Sequence, residues 1–435
     1  MYDIIIGRDE TDKKNFGDKG LIYIGKGYVK MGRYTSLSNK IFLDAIRNHV
    51  ILIAGKRGSG KSYTLGVIAE ELTNMEKEIK QNIAPLIFDT MGIYWTMKFE
   101  NEKDRKLMQE WELKPKGLDV KVFVPFGYYE DYIERGIPVD EKFALDIQEM
   151  NVEDWIITFN LEMVDPVSIL IGKIISKLKK EMPSFNLNNI IEEIEKEEKY
   201  EIQIKNAAIN LFEGAKSWGI FSEGGTNTRI EKLINPGFTS VLDLSVYNSI
   251  GPFNVRALVI GLISRKIFKK RMEERKKEEI GSLSQISSLE IEKNKKENPL
   301  IWIFIDEAHE FLPLRGKTPA TDALVQLLRE GRQPGISLVL ATQQPGQIHR
   351  DAMTQADIVI AHRLTSKPDL DALSYIMQSY LLKGINEYMN ELPNLKGSAI
   401  VLDDNSERIY PVRIKPRFTW HGGDSPTALI TKKEI

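Results

Sequence analysis

Residues 49–73, HVILIAGKRGSGKSYTLGVIAEELT, decide the fold of this chain. Their centre, GKRGSGKS at 55–62, matches G-x-x-x-x-G-K-[ST], the phosphate-binding P-loop. The apolar run at 50–53 is typical of a buried parallel strand, and the apolar residues at 65, 68, 69 and 72 share one helical face. This order of strand, glycine loop and helix predicts an α/β fold that binds a nucleoside triphosphate.

The residue types in the loop suit phosphate chemistry. Gly58 and Gly60 permit backbone angles and a close approach that a side chain would block. The loop N–H groups and the helix N-terminus are expected to face an anion, with Lys61 on the β- and γ-phosphates and Ser62 on Mg²⁺. The alternative, an incidental glycine-rich turn, is disfavoured by the flanking strand and helix. The predicted nucleotide-binding residues are Gly55, Lys56, Arg57, Gly58, Ser59, Gly60, Lys61, Ser62 and Tyr63, and the predicted cofactors are ATP and Mg²⁺.

Composition narrows the class of protein. The chain has 435 residues, 42% of them hydrophobic, which suits two or three domains or one large domain with an insertion. The net charge of −2 gives no bulk signal of nucleic-acid binding, although a ring can confine its basic residues to a channel. The absence of cysteine excludes disulfides and cysteine metal sites. No apolar run is long enough to cross a bilayer and the N-terminus does not resemble a signal peptide, so we expect a cytoplasmic protein without a membrane partner.

Two further strands are predicted to end in reactive side chains. The run LIWIFI at 300–305 leads into Asp306 and Glu307, a Walker B arrangement in which we assign Asp306 to Mg²⁺ and Glu307 to the general base. The alternative is an aspartate that only caps the following helix. The strand at 337–342 leads into Gln343, which we expect to bond the γ-phosphate or the attacking water; an ordinary strand-end amide is the alternative.

Two arginines, Arg329 and Arg332, lie at the C-terminal end of the helical segment TDALVQLLREGRQPG, which Gly331 ends. From there Arg329 or Arg332 could reach the γ-phosphate of a neighbouring subunit as an arginine finger. Alternatively, both complement the dipole at the C-terminus of the helix. Arg363, after another apolar strand, is a weaker candidate for the same role.

Changes of periodicity divide the chain into segments. Short alternating apolar stretches near the N-terminus indicate strands, and helical periodicity interrupts the strands of the ATPase core. The predicted segments are a short, reduced barrel-like N-terminal β element (1–45), the first part of the core (46–140), a helical insertion (141–235) and the second part of the core (236–410).

Several runs of sequence resemble the HerA family of hexameric DNA translocases, within the HerA–FtsK group of P-loop ATPases. They are GRYTSLSNKIFLDAIRNHVILIAGKRGSGKS, VLDLS, IFIDEAHEFLP, LREGRQPGISLVLATQQPG and WHGGDSP. The order of the DEAH, GR and ATQ motifs is more specific than the P-loop, which many families share. The resemblance implies a RecA-like core with a mostly parallel sheet, a homohexameric ring, and ATP-driven movement along duplex DNA through the pore.

The resemblance also assigns roles to individual residues. It implies Ser62 and Asp306 at Mg²⁺, and the catalytic residues that it implies are Lys61, Glu307 (Walker B), Arg332 (acting in trans) and Gln343 (sensor). A C-terminal arm at 411–435, centred on 413–426, is expected to brace the neighbouring subunit. Ile93 stands where the family often has a glutamate, which leaves any acidic role there to Asp89. The N-terminal β element is short beside the family's barrel, where a nuclease partner would dock.

The function predicted from these observations is that of an ATP-dependent duplex DNA translocase or helicase, an ATP hydrolase, acting as a homohexameric ring in DNA end processing or repair with a nuclease. Two alternatives stay open: a ring ATPase that scaffolds an effector in an antiviral defence pair, and a conjugation or secretion motor. The candidate DNA-contacting residues are Arg315 and Lys317, after the Walker B strand, and Lys216 with Trp218, in the segment GAKSWGIF.

Overall fold

The computed structural model describes residues 3–31, 34–222, 227–249, 254–285, 298–377 and 385–423. The strands in these ranges are β1 (Ile4–Ile6), β2 (Leu21–Met31), β3 (Tyr34–Asp44), β4 (Val50–Ala54), β5 (Ile83–Asp89), β6 (Val120–Pro125), β7 (Glu141–Phe143), β8 (Thr239–Asp243), β9 (Leu300–Ile305), β10 (Ile336–Thr342), β11 (Ile358–His362), β12 (Ser398–Asp403) and β13 (Arg408–Ile414). The α-helices are α1 (Glu10–Phe16), α2 (Lys61–Thr73), α3 (Lys77–Lys80), α4 (Arg105–Glu110), α5 (Tyr129–Glu134), α6 (Val152–Thr158), α7 (Pro166–Glu181), α8 (Leu187–Lys196), α9 (Ile202–Lys216), α10 (Ile230–Leu233), α11 (Val255–Gln285), α12 (Thr321–Glu330), α13 (Arg350–Thr354), α14 (Lys367–Met377) and α15 (Ile385–Glu391).

These strands form one sheet, in the order β1-β3-β2-β13-β12-β11-β4-β10-β9-β5-β8-β6-β7. Every neighbouring pair from β11 to β7 is parallel, whereas β11, β12, β13, β2 and β3 pair antiparallel. The predicted α/β fold with a mostly parallel sheet is confirmed. Because β4, β10 and β9 are adjacent and parallel, their carboxyl ends meet at one edge, which brings the P-loop beside Asp306 and Gln343.

The central strands are buried on both faces, which explains their continuous apolar sequences. Leu52 and Ile303 belong to one apolar layer, whereas Ile51 and Phe304 belong to the other. The helix that follows the P-loop, α2, packs on the second layer, and α7, α11 and α12 contribute to the first. Within the described ranges no helix is both long and apolar enough to span a membrane.

The N-terminal β element differs from the prediction. The β2 and β3 strands are eleven residues each and form a long antiparallel hairpin. Strand β2 also pairs with β13, so the hairpin extends the central sheet and is not a separate barrel-like element. Pairing with a strand at the far end of the chain leaves no local signal in the sequence. The segment boundaries themselves stay predictions.

A buried charged cluster joins the hairpin to the central strands. His49, which is 4% exposed, lies between two carboxylates: its Nδ1 is 2.6 Å from Asp357 Oδ2 and its Nε2 is 3.4 Å from Asp44 Oδ2. Arg8 donates to Asp44 from Nε at 2.8 Å. Burial alone would lower the pKa of His49, but the bonds to Asp357 and Asp44 outweigh it and raise the pKa to about 9. The imidazolium is therefore the form that this cluster stabilises.

The region 141–235 is largely helical, and buried residues of its helices α6 to α10 belong to the first apolar layer, which includes an aromatic cluster. Trp155 packs against Phe159 and Phe212, with ring centroids 5.4 and 5.0 Å apart. Trp218 has no exposed surface and lies 5.9 Å from Phe159 between ring centroids. The prediction of Trp218 as a DNA-contacting residue is wrong, because this side chain is part of the core.

The segment after β13 crosses the outer side of α2. Glu70 of α2 is completely buried, and its carboxylate accepts hydrogen bonds from Lys415 Nζ at 2.8 Å and from the N–H groups of Phe418 and Thr419, each at 3.2 Å. Residues 411–423, predicted as an arm on a neighbouring subunit, are thus held against their own chain. Residues 424–435 of the predicted arm lie outside the described residues.

Candidate nucleotide-binding site

The P-loop is anchored to the two strands that flank β4. The Gly55 N–H donates to the carbonyl oxygen of Thr342, the last residue of β10, at 3.3 Å, and the Lys56 N–H donates to that of Arg363, just after β11, at 3.1 Å. A Cβ on Gly55 would lie 2.5 Å from Ser59 Oγ and 2.6 Å from the Cβ of His362, and Gly60 has a φ of +114°. The loop therefore keeps its shape only with glycine at these positions.

Lys61 places an ammonium group inside the loop. The residue is 4% exposed, and its Nζ donates to the Lys56 carbonyl oxygen at 3.4 Å. Burial lowers the pKa of Lys61, and the nearby carboxylates of Glu307 and Asp306 oppose that shift. Across the described residues it makes no ion pair with a carboxylate. A buried cation beside a glycine cradle of this shape fits a phosphate group.

Asp306 and Ser62 come together as predicted. Asp306 is 1% exposed, and burial raises the pKa of its carboxyl group, while the nearby Ser62 hydroxyl opposes that rise. A hydroxyl and a carboxylate are the oxygen ligands that Mg²⁺ prefers. No group of three or more His, Asp or Glu side chains able to hold a metal occurs within the described residues.

Glu307 has a left-handed backbone, with φ +50°, that turns its side chain toward β10. The Gln343 amide donates to Glu307 Oε1. The other carboxylate oxygen, Oε2, is buried without a hydrogen bond and lies 3.7 Å from His309 Nδ1. A buried carboxylate with one free oxygen fits the predicted general base. His309 itself was not predicted, although it is the last residue of the DEAH run; its Nδ1 is also 3.2 Å from Thr342 Oγ1.

The sequence around this site matches a known protein family. Residues 29–267, more than half of the chain, match the family model described as the central domain of helicase HerA. The chain belongs to the HerA family. The DNA double-strand break repair helicase HerA of Pyrococcus furiosus is 24% identical over 195 residues, which are 41% of this chain and 33% of that protein.

A second relative covers more of the chain. The probable DNA double-strand break repair helicase HerA of Methanocaldococcus jannaschii is 23% identical over 372 residues, 80% of this chain and 69% of that protein. Among solved structures, VirB4 of Thermoanaerobacter pseudethanolicus is 12% identical with a TM-score of 0.52, over 92% of this chain and 97% of that chain. This structural likeness supports the fold alone. The chain thus spans about a third of the first relative and about two thirds of the second.

In this HerA-family site, three residues that were predicted to bind nucleotide, Lys56, Arg57 and Tyr63, have side chains that are exposed to solvent or contact the C-terminal segment. Lys56 and Arg57 are exposed. The Tyr63 hydroxyl accepts a hydrogen bond from the Arg417 N–H at 2.6 Å, and its ring lies edge-on to His421 at 5.2 Å. The Tyr63 side chain therefore contacts the C-terminal segment, and any contact of this residue with phosphate is left to its backbone N–H.

His362, the last residue of β11, contacts the first turn of the helix that follows the P-loop, and it was not predicted as a site residue. Its Nε2 lies 2.8 Å from Thr64 Oγ1 and its Nδ1 lies 3.1 Å from the carbonyl oxygen of Ser398. Burial lowers the pKa of His362 to about 4, so the ring is neutral at pH 7. No sequence signal beyond its position at a strand end could have identified it.

Asp89 ends β5 at the same edge of the HerA-family sheet, beside Asp243 at the end of β8. Both are buried, and burial together with the charge of Asp243 raises the pKa of Asp89 to about 7. The Asp89 carboxylate accepts hydrogen bonds from the N–H groups of Met91, Gly92 and Tyr94. Asp89 thus fixes the backbone of the loop after β5, in which Ile93 occupies the position where the family often has a glutamate.

The two candidate trans arginines differ in their contacts. Arg329 Nε donates to Asp351 Oδ2 at 2.6 Å, whereas Arg332 is exposed and has no side-chain partner among the described residues. Arg332 precedes the amino end of β10, and the P-loop follows the carboxyl end of the parallel neighbour β4. A seven-residue strand separates these edges by roughly 20 Å. Arg332 therefore lies far from the P-loop of its own chain. Arg363, the weaker candidate, donates to Asn394 Oδ1 at 2.6 Å.

The three charged candidates for DNA contact have exposed or partly exposed side chains, but two of them are paired. Lys317 Nζ lies 2.9 Å from Asp322 Oδ1 and Lys216 Nζ lies 2.8 Å from Glu213 Oε1. Arg315 is exposed and has no ion pair within the described part of the chain. Of the three, Arg315 offers the cation least neutralised by its own chain.

Proposed function

We propose that this chain is an ATP-hydrolysing ring motor that moves along duplex DNA. The observation that carries the proposal is the convergence of a buried Lys61, the Ser62–Asp306 pair and the Glu307–Gln343 pair at one edge of the sheet. A P-loop followed by two strand-end acids and a polar strand end is the arrangement of an ATP hydrolase. Relatives described as double-strand break repair helicases support DNA as the track.

The roles of the side chains follow from their positions. Lys61 and the loop N–H groups bind the β- and γ-phosphates, and Ser62 and Asp306 would hold Mg²⁺. When bound, Mg²⁺ would neutralise charge on the phosphate oxygens. Glu307 accepts a proton from the attacking water through its free oxygen, and Gln343 fixes the orientation of that carboxylate. Arg332 of an adjacent subunit stabilises the charge that develops on the γ-phosphate.

Assembly follows from the position of Arg332. Because this arginine lies at the opposite edge of the sheet from its own P-loop, it would reach a γ-phosphate in trans, from an adjacent subunit such as the homohexamer that the family resemblance implies would provide. We also propose that the ring works in the cytoplasm, in DNA end processing together with a nuclease. Duplex DNA would pass through the pore and contact exposed cations such as Arg315.

Imaging and kinetics of the full-length protein test this function together. Electron microscopy with a non-hydrolysable ATP analogue and a blunt duplex is expected to show a six-fold ring with density through its pore. ATP turnover is expected to rise when duplex DNA is added, and Lys61→Ala should abolish both basal and stimulated turnover. ATP hydrolysis without DNA binding or stimulation at low salt would contradict the translocase and favour a scaffold or secretion motor.

A further inference from the structure

The hydroxyl of Tyr94 reaches the two residues that are assigned to Mg²⁺. Tyr94 begins a 3-10 helix after β5 and has no exposed surface. Its hydroxyl lies 3.2 Å from the carbonyl oxygen of Ser62 and 3.5 Å from Asp306 Oδ2. The phenol carries a single O–H proton, which these two acceptors share.

The preceding loop fixes where this hydroxyl lies. The Asp89 carboxylate accepts the N–H groups of Gly92 and Tyr94, each at 2.7 Å. Gly92 has a φ of +68°, and a Cβ there would lie 2.6 Å from Ser245 Oγ, so the turn requires glycine. Because Ile93 carries no acid, the polar group that this loop delivers to the site is the Tyr94 hydroxyl.

We propose that Tyr94 is a positioning residue, whose hydroxyl ties the first turn of α2 to the end of β9 so that Ser62 and Asp306 converge on a single Mg²⁺. The inference rests on the proposed function, since it concerns the metal of the same ATP site. Ser62 and Asp306 are 244 positions apart in the chain, and a buried hydroxyl that contacts the Ser62 carbonyl oxygen and Asp306 restrains their separation. Loss of the hydroxyl leaves the ring and its packing in place but releases that restraint.

The test measures how nucleotide binding depends on Mg²⁺ in Tyr94→Phe, using a fluorescent non-hydrolysable ATP analogue. The Mg²⁺ concentration for half-maximal binding is expected to rise roughly 2- to 10-fold, the effect of one lost hydrogen bond, while the affinity measured in EDTA is unchanged. Tyr247→Phe is the matched control, since its buried hydroxyl donates to the Trp218 carbonyl oxygen at 2.9 Å within the aromatic core. This control should leave both values unchanged.

A double-mutant cycle separates positioning from general destabilisation. If Tyr94 acts through the Mg²⁺ ligands, Tyr94→Phe should have less effect on the Mg²⁺ requirement in a Ser62→Ala background than alone. An unaltered Mg²⁺ requirement in Tyr94→Phe, or an equal loss of affinity with and without Mg²⁺, would overturn the inference. If the unmodified protein does not bind the analogue in Mg²⁺ at all, the proposed function fails as well, so the two failures are distinguishable.

Discussion

The side-chain amide of Gln343 donates a hydrogen bond to the carboxylate of Glu307. Gln343 was predicted to bond the γ-phosphate or the attacking water, and in the structure it contacts Glu307, the residue that we propose as the general base. The two residues end neighbouring parallel strands, β10 and β9, so the pairing is fixed by the sheet. We therefore expect Gln343 to influence hydrolysis through the orientation and charge of Glu307.

This relationship predicts a specific change of pH profile. In Gln343→Glu a second carboxylate lies beside Glu307, and repulsion between the two raises the pKa of the pair. A general base must be unprotonated, so the acid limb of the kcat–pH profile should move to higher pH. Gln344→Glu is the control, because Gln344 is exposed and should leave the limb in place. Identical profiles for both variants would show that Gln343 does not act on the base.

Arg332 is expected to act on the neighbouring subunit. Arg332→Ala should lower ATP turnover by roughly 10³- to 10⁵-fold, the range measured for arginine fingers. Mixing Arg332→Ala subunits with Lys61→Ala subunits should restore part of the turnover, because some interfaces then combine an intact arginine with an intact P-loop. Arg329→Ala is the control, since Arg329 pairs with Asp351 and should not be needed. If mixed rings form but recover no turnover, the trans role is wrong.

DNA binding is expected to depend on Arg315 more than on its neighbour Lys317. The equilibrium constant for duplex DNA should fall with salt, and each neutralised phosphate contributes about −0.9 to the log–log slope. Arg315→Ala should flatten that slope, whereas Lys317→Ala should change it less because Asp322 already neutralises Lys317. A labelled duplex titrated across a salt series measures both slopes. Equal slopes for the Arg315→Ala and unmodified proteins would exclude Arg315 from the DNA interface.

The His49 cluster predicts a loss of stability at alkaline pH. The pKa of His49 is about 9 in the folded protein against 6.5 for the free side chain. Because the folded value is higher, the cluster stabilises fully below pH 6.5, and this contribution is lost as pH rises through 9. The contribution of the protonated His49 to the free energy of unfolding is on the order of 3 kcal/mol. It comes from the carboxylates of Asp44 and Asp357, and Asp403 also lies nearby. The unfolding free energy of the unmodified protein should therefore fall more between pH 6 and pH 9.5 than that of His49→Gln. An equal decrease of the unfolding free energy in both proteins would contradict the stabilising role of the protonated His49.

The sequence predicted the local parts of the site well. The P-loop, the strand before it and the acids after β9 depend on short spacings and on apolar runs, so the structure places Lys61, Ser62, Asp306 and Glu307 at one edge as expected. Contacts between distant segments left no such pattern. Three such contacts join segments that are far apart in the chain. They are the pairing of β2 with β13, the contact of His362 with Thr64 behind the P-loop, and the contact of the Tyr94 hydroxyl with Asp306.

One error shows how tertiary packing overrides a local signal. The segment GAKSWGIF has the glycines and the lysine of a surface loop, which led to Trp218 as a DNA contact. In the structure Trp218 is completely buried, and its ring lies 6.2 Å from that of Phe221 between centroids. Another aromatic neighbour is Phe159, 5.9 Å away between ring centroids, which directly follows another helix of the insertion, α6, and is not visible from the local sequence around Trp218.

The most direct measurement of the central claim is ATP hydrolysis by Glu307→Gln, with nucleotide affinity measured on the same preparation. The substitution removes the base but keeps the phosphate cradle of Lys61 and the Ser62–Asp306 pair. Turnover is predicted to fall by roughly 10²- to 10⁴-fold, with the affinity for the ATP analogue within about twofold of the unmodified protein. Undiminished turnover in Glu307→Gln would contradict the assignment of this edge of the sheet as the hydrolytic site.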